Sequence, residues 1–243
     1  MNSKGKPSQA TLSDIGGEEL KSSSSEKLLG LHVSSSLDWK IHVGKLSIEL
    51  RKRIGLLRRI KYKVTQEKLG MIAESIFNSK LRYGISVYAC PVYEDEDLKM
   101  EKLPQETKQL QTLQNSMLRT IFGFNISQQI NMKKLRMSIQ MMSVNQMCVY
   151  HTLIETFNVI RNSSSEHLKE KLMPSTDKSA YGLRTRTREK AASQGKPSRG
   201  CIGFAYHSSK LWNKIPQEIR SCQSSSGFKD KVKMWIWNSI PSF

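Results

Sequence analysis

Between Ser36 and Lys63 apolar residues recur at steps of three and four: Trp39, Val43, Leu46, Leu50, Ile54 and Leu57. At about 100° per residue these fall on one face of a helix. Ser36 or Asp38 is placed to cap its start. Lys40, Lys45, Arg51, Lys52, Arg58 and Arg59 take the opposite arc, and Glu49 is the only acid after Asp38 in this stretch. Ile41, Ile48 and Leu56 interrupt the pattern by falling toward the basic arc. Gly44 and Gly55 each cost a helix interior about 1 kcal/mol, so this helix requires tertiary support.

The rest of the chain reads as short elements around it. Residues 1–10 are polar and expected to be disordered. Thr11–Ile15 and Glu18–Lys21 flank Gly16-Gly17 as a short hairpin, and Glu26–Val33 reads as one strand whose glycine suggests a bulge. A second helix is expected from Gln66 to about Cys90, capped by Thr65 and ended by Pro91. Its apolar stripe is Leu69, Ile72, Ala73, Ile76, Phe77, Ser79 or Lys80, Tyr83 and Val87. After an acidic connector, Glu94–Asp97, a third helix runs from about Glu101 or Pro104 to Phe122, with Gly123 stopping it. Ile126–Ile160 reads as one or two helices carrying Met132, Met137, Met141, Met142 and Met147. A methionine stripe of this kind is adaptable packing first and a groove for a partner second.

Asn162–Ser165 reads as a linker and Glu166–Leu172 as a short helix. Beyond Ser175 the character changes. Arg184, Arg186, Arg188, Lys190, Lys196 and Arg199 meet one acid, Glu189, in a segment suited to a cationic strand or an extended arm. Phe204, Tyr206, Leu211, Trp212 and Ile215 follow, and a closing helix is expected over Phe228–Trp237. The fold class is therefore mainly α, a helical bundle preceded by a short β element and followed by a basic, aromatic tail. The boundaries read as 1–10, 11–35, 36–160, 161–180 and 181–243.

Charge sharpens this picture. The 243 residues hold 39 Lys and Arg against 21 Asp and Glu, a net charge of +18. Such a balance points to a polyanion, most often nucleic acid. No apolar run is long enough to span a membrane, and the first residues lack the apolar core of a secretory signal. Cys90, Cys148, Cys201 and Cys222 are far apart, which suits reduced thiols in an intracellular protein of the nucleus or cytoplasm.

Catalytic motifs are scarce. There is no phosphate-binding glycine loop and no nucleophile elbow, and the five histidines are scattered. Asp97-Leu98-Lys99 has the acid-x-Lys form found in metal-dependent nucleases, yet four adjacent acids suit a solvated connector better than one shared ion. No cofactor is expected. The candidate nucleic-acid-binding residues are Lys45, Arg51, Lys52, Arg58 and Arg59, then Arg184, Arg186, Arg188 and Arg199, all as phosphate contacts. Trp39 and Trp212 are taken as packing anchors.

An ordered series of residues also resembles a known family. Lys27, Leu29, Gly30, Leu37, Trp39 and His42 are similar to the palm–thumb boundary of reverse transcriptases from LINE-type, jockey-like non-LTR retrotransposons. Leu81-Arg82-Tyr83-Gly84 resembles the next segment of that family. Leu110-Gln111, Leu113-Gln114, Met117-Leu118-Arg119, Ile121 and Gly123 resemble its following helix. Phe204, Leu211-Trp212-Asn213, Ile215-Pro216, Ile219-Arg220 and Phe228-Lys229 resemble its ending. The resemblance spans roughly residues 11–237.

It implies that 11–35 is a remnant of the palm end and 36–160 a thumb-like bundle. It also implies RNA or RNA–DNA duplex as partner, held through backbone phosphates. The parent activity would be RNA-directed DNA polymerase, with Mg²⁺ held only by the complete polymerase. The family's catalytic aspartates have no counterpart, since the chain lacks any Asp-Asp pair. The expectation is a truncated fragment without polymerase activity of its own, an upstream palm segment being one conceivable partner. Other classes stay open: a protein-interaction module using the methionine-rich helices with Ile48 and Leu56, a nuclease using Asp97 and Lys99, or a fragment with no selected role.

Overall fold

The computed structural model describes residues 23–36, 38–89, 105–125, 127–162, 166–172 and 204–240. It opens on an antiparallel hairpin, β1 (Ser25–Leu28) and β2 (Leu31–Ser34), with Glu26 opposite Val33 and Leu28 opposite Leu31. The single strand expected over Glu26–Val33 is therefore two. Leu29 (φ 48°) and Gly30 (φ 83°) both adopt left-handed backbone and reverse the chain, as a two-residue hairpin turn demands. The glycine marks the turn and not a bulge. The hairpin expected over 11–21 lies outside the described residues.

Helix α1 spans Lys40–Ile60. It starts later and ends sooner than the periodicity suggested. Trp39 occupies the cap position without a side-chain bond. Asp38, one residue earlier, accepts the Lys40 N–H through Oδ1 at 3.2 Å, and Ser36 Oγ donates to Asp38 Oδ2 at 2.9 Å. Asp38 thus takes the capping role with Ser36 orienting it. Val43, Leu46, Leu50, Ile54 and Leu57 are buried. At about 2 kcal/mol for each apolar side chain removed from water, this face outweighs the roughly 1 kcal/mol cost of each glycine.

The second expected helix is not continuous. It divides into α2 (Gln66–Ala73), a π-helical turn (Glu74–Asn78), α3 (Ser79–Arg82) and α4 (Ile85–Tyr88). Thr65 caps α2 as expected, accepting from Lys68 N–H. A π turn holds one more residue than an α turn and rotates everything after it. The buried series accordingly runs Leu69, Ala73, Phe77, Leu81, Ile85 and Tyr88, while Tyr83 and Val87, expected in the stripe, are exposed. The break itself is Gly84, at φ 68°. A Cβ there would sit 3.0 Å from a Leu31 methyl, and one on Gly30 would sit 3.3 Å from the Tyr83 ring. The two glycines let the hairpin turn and the α3–α4 junction close on each other, and Tyr83 Oη locks them by donating to Leu29 O at 2.7 Å.

Helix α5 (Gln105–Phe122) packs along α1, and Gly123 ends it with φ 72°. Helix α6 (Met132–Ser138) leads to α7 (Val144–Asn162), the element that joins two cores. Val144, Met147 and Cys148 enter the core built on α1. Val149, Leu153, Ile154 and Phe157 enter a second core with Leu211, Trp212, Phe228, Val232 and Ile236. That second core is built from α9 (Phe204–Lys214) and α11 (Ser225–Ser239), joined by α10 (Gln217–Arg220), while α8 (Glu166–Leu172) packs on α7 and α9. The closing helix begins a turn before Phe228 because Ser224 caps it, accepting from Gly227 N–H.

Buried amides stitch these helices. Gln111 Oε1 accepts the Val144 N–H at 2.9 Å and so caps α7 from α5. Gln114 Nε2 donates to Met142 O at 3.0 Å, and Gln146 Nε2 donates to Ile240 O at 3.0 Å. Each satisfies a backbone group that would be costly to bury alone. The described residues are thus mainly helical with one short hairpin, the architecture expected in outline.

Candidate nucleic-acid interface

The outward face of α1 follows from the same periodicity that buries its inner face. Lys40, Lys45, Arg51, Lys52, Arg58 and Arg59 are all exposed. Lys45, Lys52 and Arg59 are spaced seven apart, two turns or about 10 Å of rise. Arg51 and Arg58 form a second row displaced around the helix. Between the rows lie Ile41, Ile48 and Gly55, with Ile48 53% exposed. Leu56, also exposed, lies at the edge of the first row. Among the described residues none of the six cations forms an ion pair with a carboxylate. The acids nearby are engaged elsewhere: Glu49 pairs with Lys80 at 3.2 Å and Glu74 with Arg82 at 2.9 Å.

The fold presents this arc on a fixed support. Arg53, on the flank of α1, donates through Nη1 to the Ile76 carbonyl in the π turn. That bond ties α1 to the irregular helix where its backbone pattern changes. On the same flank the hairpin touches the start of α1. Lys45 Nζ lies 3.2 Å from His32 Nδ1. Partial desolvation, then the Lys45 and Lys27 ammonium groups, holds His32 below the ordinary histidine value. His42 is buried on the core side, its ring 4.8 Å from that of Tyr88. Burial first, then the charges of His32 and Lys80, lowers its pKa to about 4. His42 is a neutral packing group whose Nδ1 accepts the His32 backbone N–H at 3.4 Å.

Five of the nine candidate residues, Lys45, Arg51, Lys52, Arg58 and Arg59, therefore share one exposed helix face. Arg184, Arg186, Arg188 and Arg199 lie outside the described residues, as do Asp97 and Lys99. Trp212 is buried at 1% exposure and Trp39 packs partly buried on the first core. The methionines divide. Met147 is buried, Met132, Met141 and Met142 are half-buried against the first core, and Met137 is exposed. Met141, Met142 and Met147, with Met71, Ile121 and Ile139, line a groove of about 1120 Å³.

Sequence reading missed three groups next to the arc: Lys61, Tyr62 and Arg119. The Lys-Tyr-Lys run at 61–63, an aromatic between cations, was the available signal for the first two. Arg119 gave none, because it reaches the arc only through the packing of α5 against α1.

Among the described residues no group of three or more His, Cys, Asp or Glu comes together to hold a metal. No helix there is long and apolar enough to cross a membrane. No family model, no curated protein and no solved structure matches this chain.

Proposed function

We propose that this protein binds RNA or an RNA–DNA duplex through backbone phosphates, without reading sequence and without polymerase chemistry of its own. One observation carries the reading: the outward face of α1 holds six exposed cations with no carboxylate partner among the described residues. A solvated helix face ordinarily mixes signs. A face of one sign on a rigid support attracts a regular polyanion and releases its counterions. The resemblance to the thumb region of non-LTR retrotransposon reverse transcriptases supports the same partner, with the α1 cations on phosphates. The cation-rich run of the sequence extends the proposal to Arg184, Arg186, Arg188 and Arg199 as an additional phosphate arm.

The test is titration of the purified chain against a labelled RNA–DNA primer–template across salt, with a thermal melt on the same sample. Replacing Arg51, Lys52, Arg58 and Arg59 together by Gln should leave the melt unchanged. It should lower the slope of log affinity against log salt by about three, at roughly 0.7–0.9 per phosphate contact. Unchanged affinity in this variant removes α1 from the interface.

A second reading has its own observation. The methionine-lined groove between α2, α5 and α7 is suited to an apolar helix of a partner protein. A partner retained after nuclease treatment, and released by Met141→Lys, supports that reading. Retention that ignores Met141→Lys dismisses it.

A further inference from the structure

Helix α1 ends at Ile60, and its last turn borders a cleft of about 560 Å³ formed with the C-terminal end of α5 and the loop after Gly123. Arg58, Lys61 and Arg119 line it, and among the described residues no carboxylate does. Ser116, Thr120 and Asn125 add hydroxyl and amide groups. Two of the cations are held in place. Arg58 Nη2 donates to Ser116 Oγ at 3.4 Å, and Arg119 Nη1 donates to the carbonyls of Asn125 and Gln128 at 2.6 and 3.0 Å. Their remaining N–H groups form a preorganised donor set for an anion.

Tyr62 follows the cleft-lining Lys61 in the chain and is 84% exposed. The Lys61 ammonium lies 4.6 Å from the centre of its ring. Lys61 therefore belongs to both features, lining the cleft and covering one side of the aromatic. The other face of the ring is open to solvent. Tyrosine normally buries most of its area, so an exposed ring against a cation that lines the cleft is an available stacking surface.

Phosphate-binding cations beside an aromatic platform are the combination that holds unpaired nucleotides. A base inside a duplex has both faces covered by its neighbours and cannot stack on a side chain. An unpaired base can. We propose that this end of α1 receives the single-stranded nucleotide adjoining a duplex, its phosphate among Arg58, Lys61 and Arg119 and its base on Tyr62. This rests on the duplex-binding reading above and adds a substrate class to it: a duplex with an unpaired extension.

The experiment compares the full chain on a blunt RNA–DNA duplex and on the same duplex carrying a four-nucleotide unpaired extension. The extension should tighten binding about tenfold, within the range of one or two stacked bases. Tyr62→Ala should erase that gain and leave blunt-duplex affinity unchanged, while Tyr62→Phe keeps both. An abasic extension, which supplies phosphates without bases, should give wild type and Tyr62→Ala the same affinity.

If the blunt duplex binds but the extension adds nothing, or its gain survives Tyr62→Ala, this proposal falls and duplex binding stands. If neither nucleic acid binds, both fall. Displacement of the extension by poly-glutamate as readily as by single-stranded RNA of equal charge would also overturn it, showing an acidic-polymer site without stacking.

Discussion

Helices α1 and α11 are built on one plan and end with different surfaces. Each buries one apolar face: Val43, Leu46, Leu50, Ile54 and Leu57 on α1, and Phe228, Val232 and Ile236 on α11. The core under α1 is largely aliphatic. The core under α11 is also mostly aliphatic but holds an aromatic cluster, with Phe157 and Phe228 stacked at 4.3 Å and Trp212 centred 5.7 Å from Phe228. Outside, α1 shows only cations along its basic rows, whereas α11 sets Asp230 among Lys229, Lys231 and Lys233 and leaves Met234 exposed. Burial explains both inner faces equally well. It does not require α1 to exclude acids from its outer rows, and that exclusion is what calls for a partner.

The largest expected effect tests whether the two regions are one folding unit. Trp212→Ala should destabilise the chain by about 3–5 kcal/mol, the usual range for a fully buried large aromatic. Because α7 contributes to both cores, one cooperative transition should move as a whole in thermal or urea unfolding. Two separated transitions would show that α7 does not couple them.

The next effect separates the surfaces. The four-residue Gln variant of α1 should weaken RNA–DNA binding on the order of 100-fold at low salt. Lys229, Lys231 and Lys233 replaced together by Gln on α11 should change affinity by less than about threefold, since a mixed face attracts a polyanion weakly. Equal losses would mean that overall charge, and not the α1 face, drives binding.

Acid should weaken both regions, most strongly through His42 and His207. His42 under α1 and His207 in α9 are buried, and burial lowers each to about 4. An unfolded histidine titrates near 6.5. The unfolded chain therefore binds these protons first, so stability is full above about pH 7 and is lost as pH falls from 6.5 toward 4. The melting temperature should drop by about 5 °C or more between pH 7 and pH 4.5. His42→Gln should remove part of that drop, and a flat profile would contradict the neutral, buried placement of both rings.

The smallest effect is a gain. Gly55 on the outer face of α1 has open space where a Cβ would stand. Gly55→Ala should raise stability by about 0.5–1 kcal/mol in a chemical melt. A loss of duplex affinity in the same variant would show that the partner approaches the backbone between the two cation rows.

Much of the fold was legible because burial leaves a periodic trace. The inner face of α1, the end of α5 at Gly123 and the Thr65 cap are local features, and local rules find them. The irregular helix after Thr65 was not legible. Its π turn displaces the buried face by one residue, and no spacing rule anticipates an inserted residue held by Arg53 from another helix. The hairpin at Leu29-Gly30 was missed in the same way, since a glycine in an apolar run reads equally as bulge or turn until a partner strand exists. For the candidate interface, the five α1 cations were readable as a face. Their neighbours Lys61, Tyr62 and Arg119 were not assembled, because α5 brings Arg119 to the end of α1 only through packing.

The sequence by itself determined the amphipathic helices, the sign of their outer surfaces and the absence of any Asp-Asp pair. These depend on residue type and period alone. Tertiary structure decided that one helix, α7, joins two cores, the second holding an aromatic cluster, and that buried glutamines on α5 and α7 satisfy distant backbone groups. It also decided that the end of α1 meets α5 in a cationic cleft beside an exposed tyrosine. Those outcomes depend on which faces meet, and the free energy that selects them comes from contacts between residues far apart in the chain.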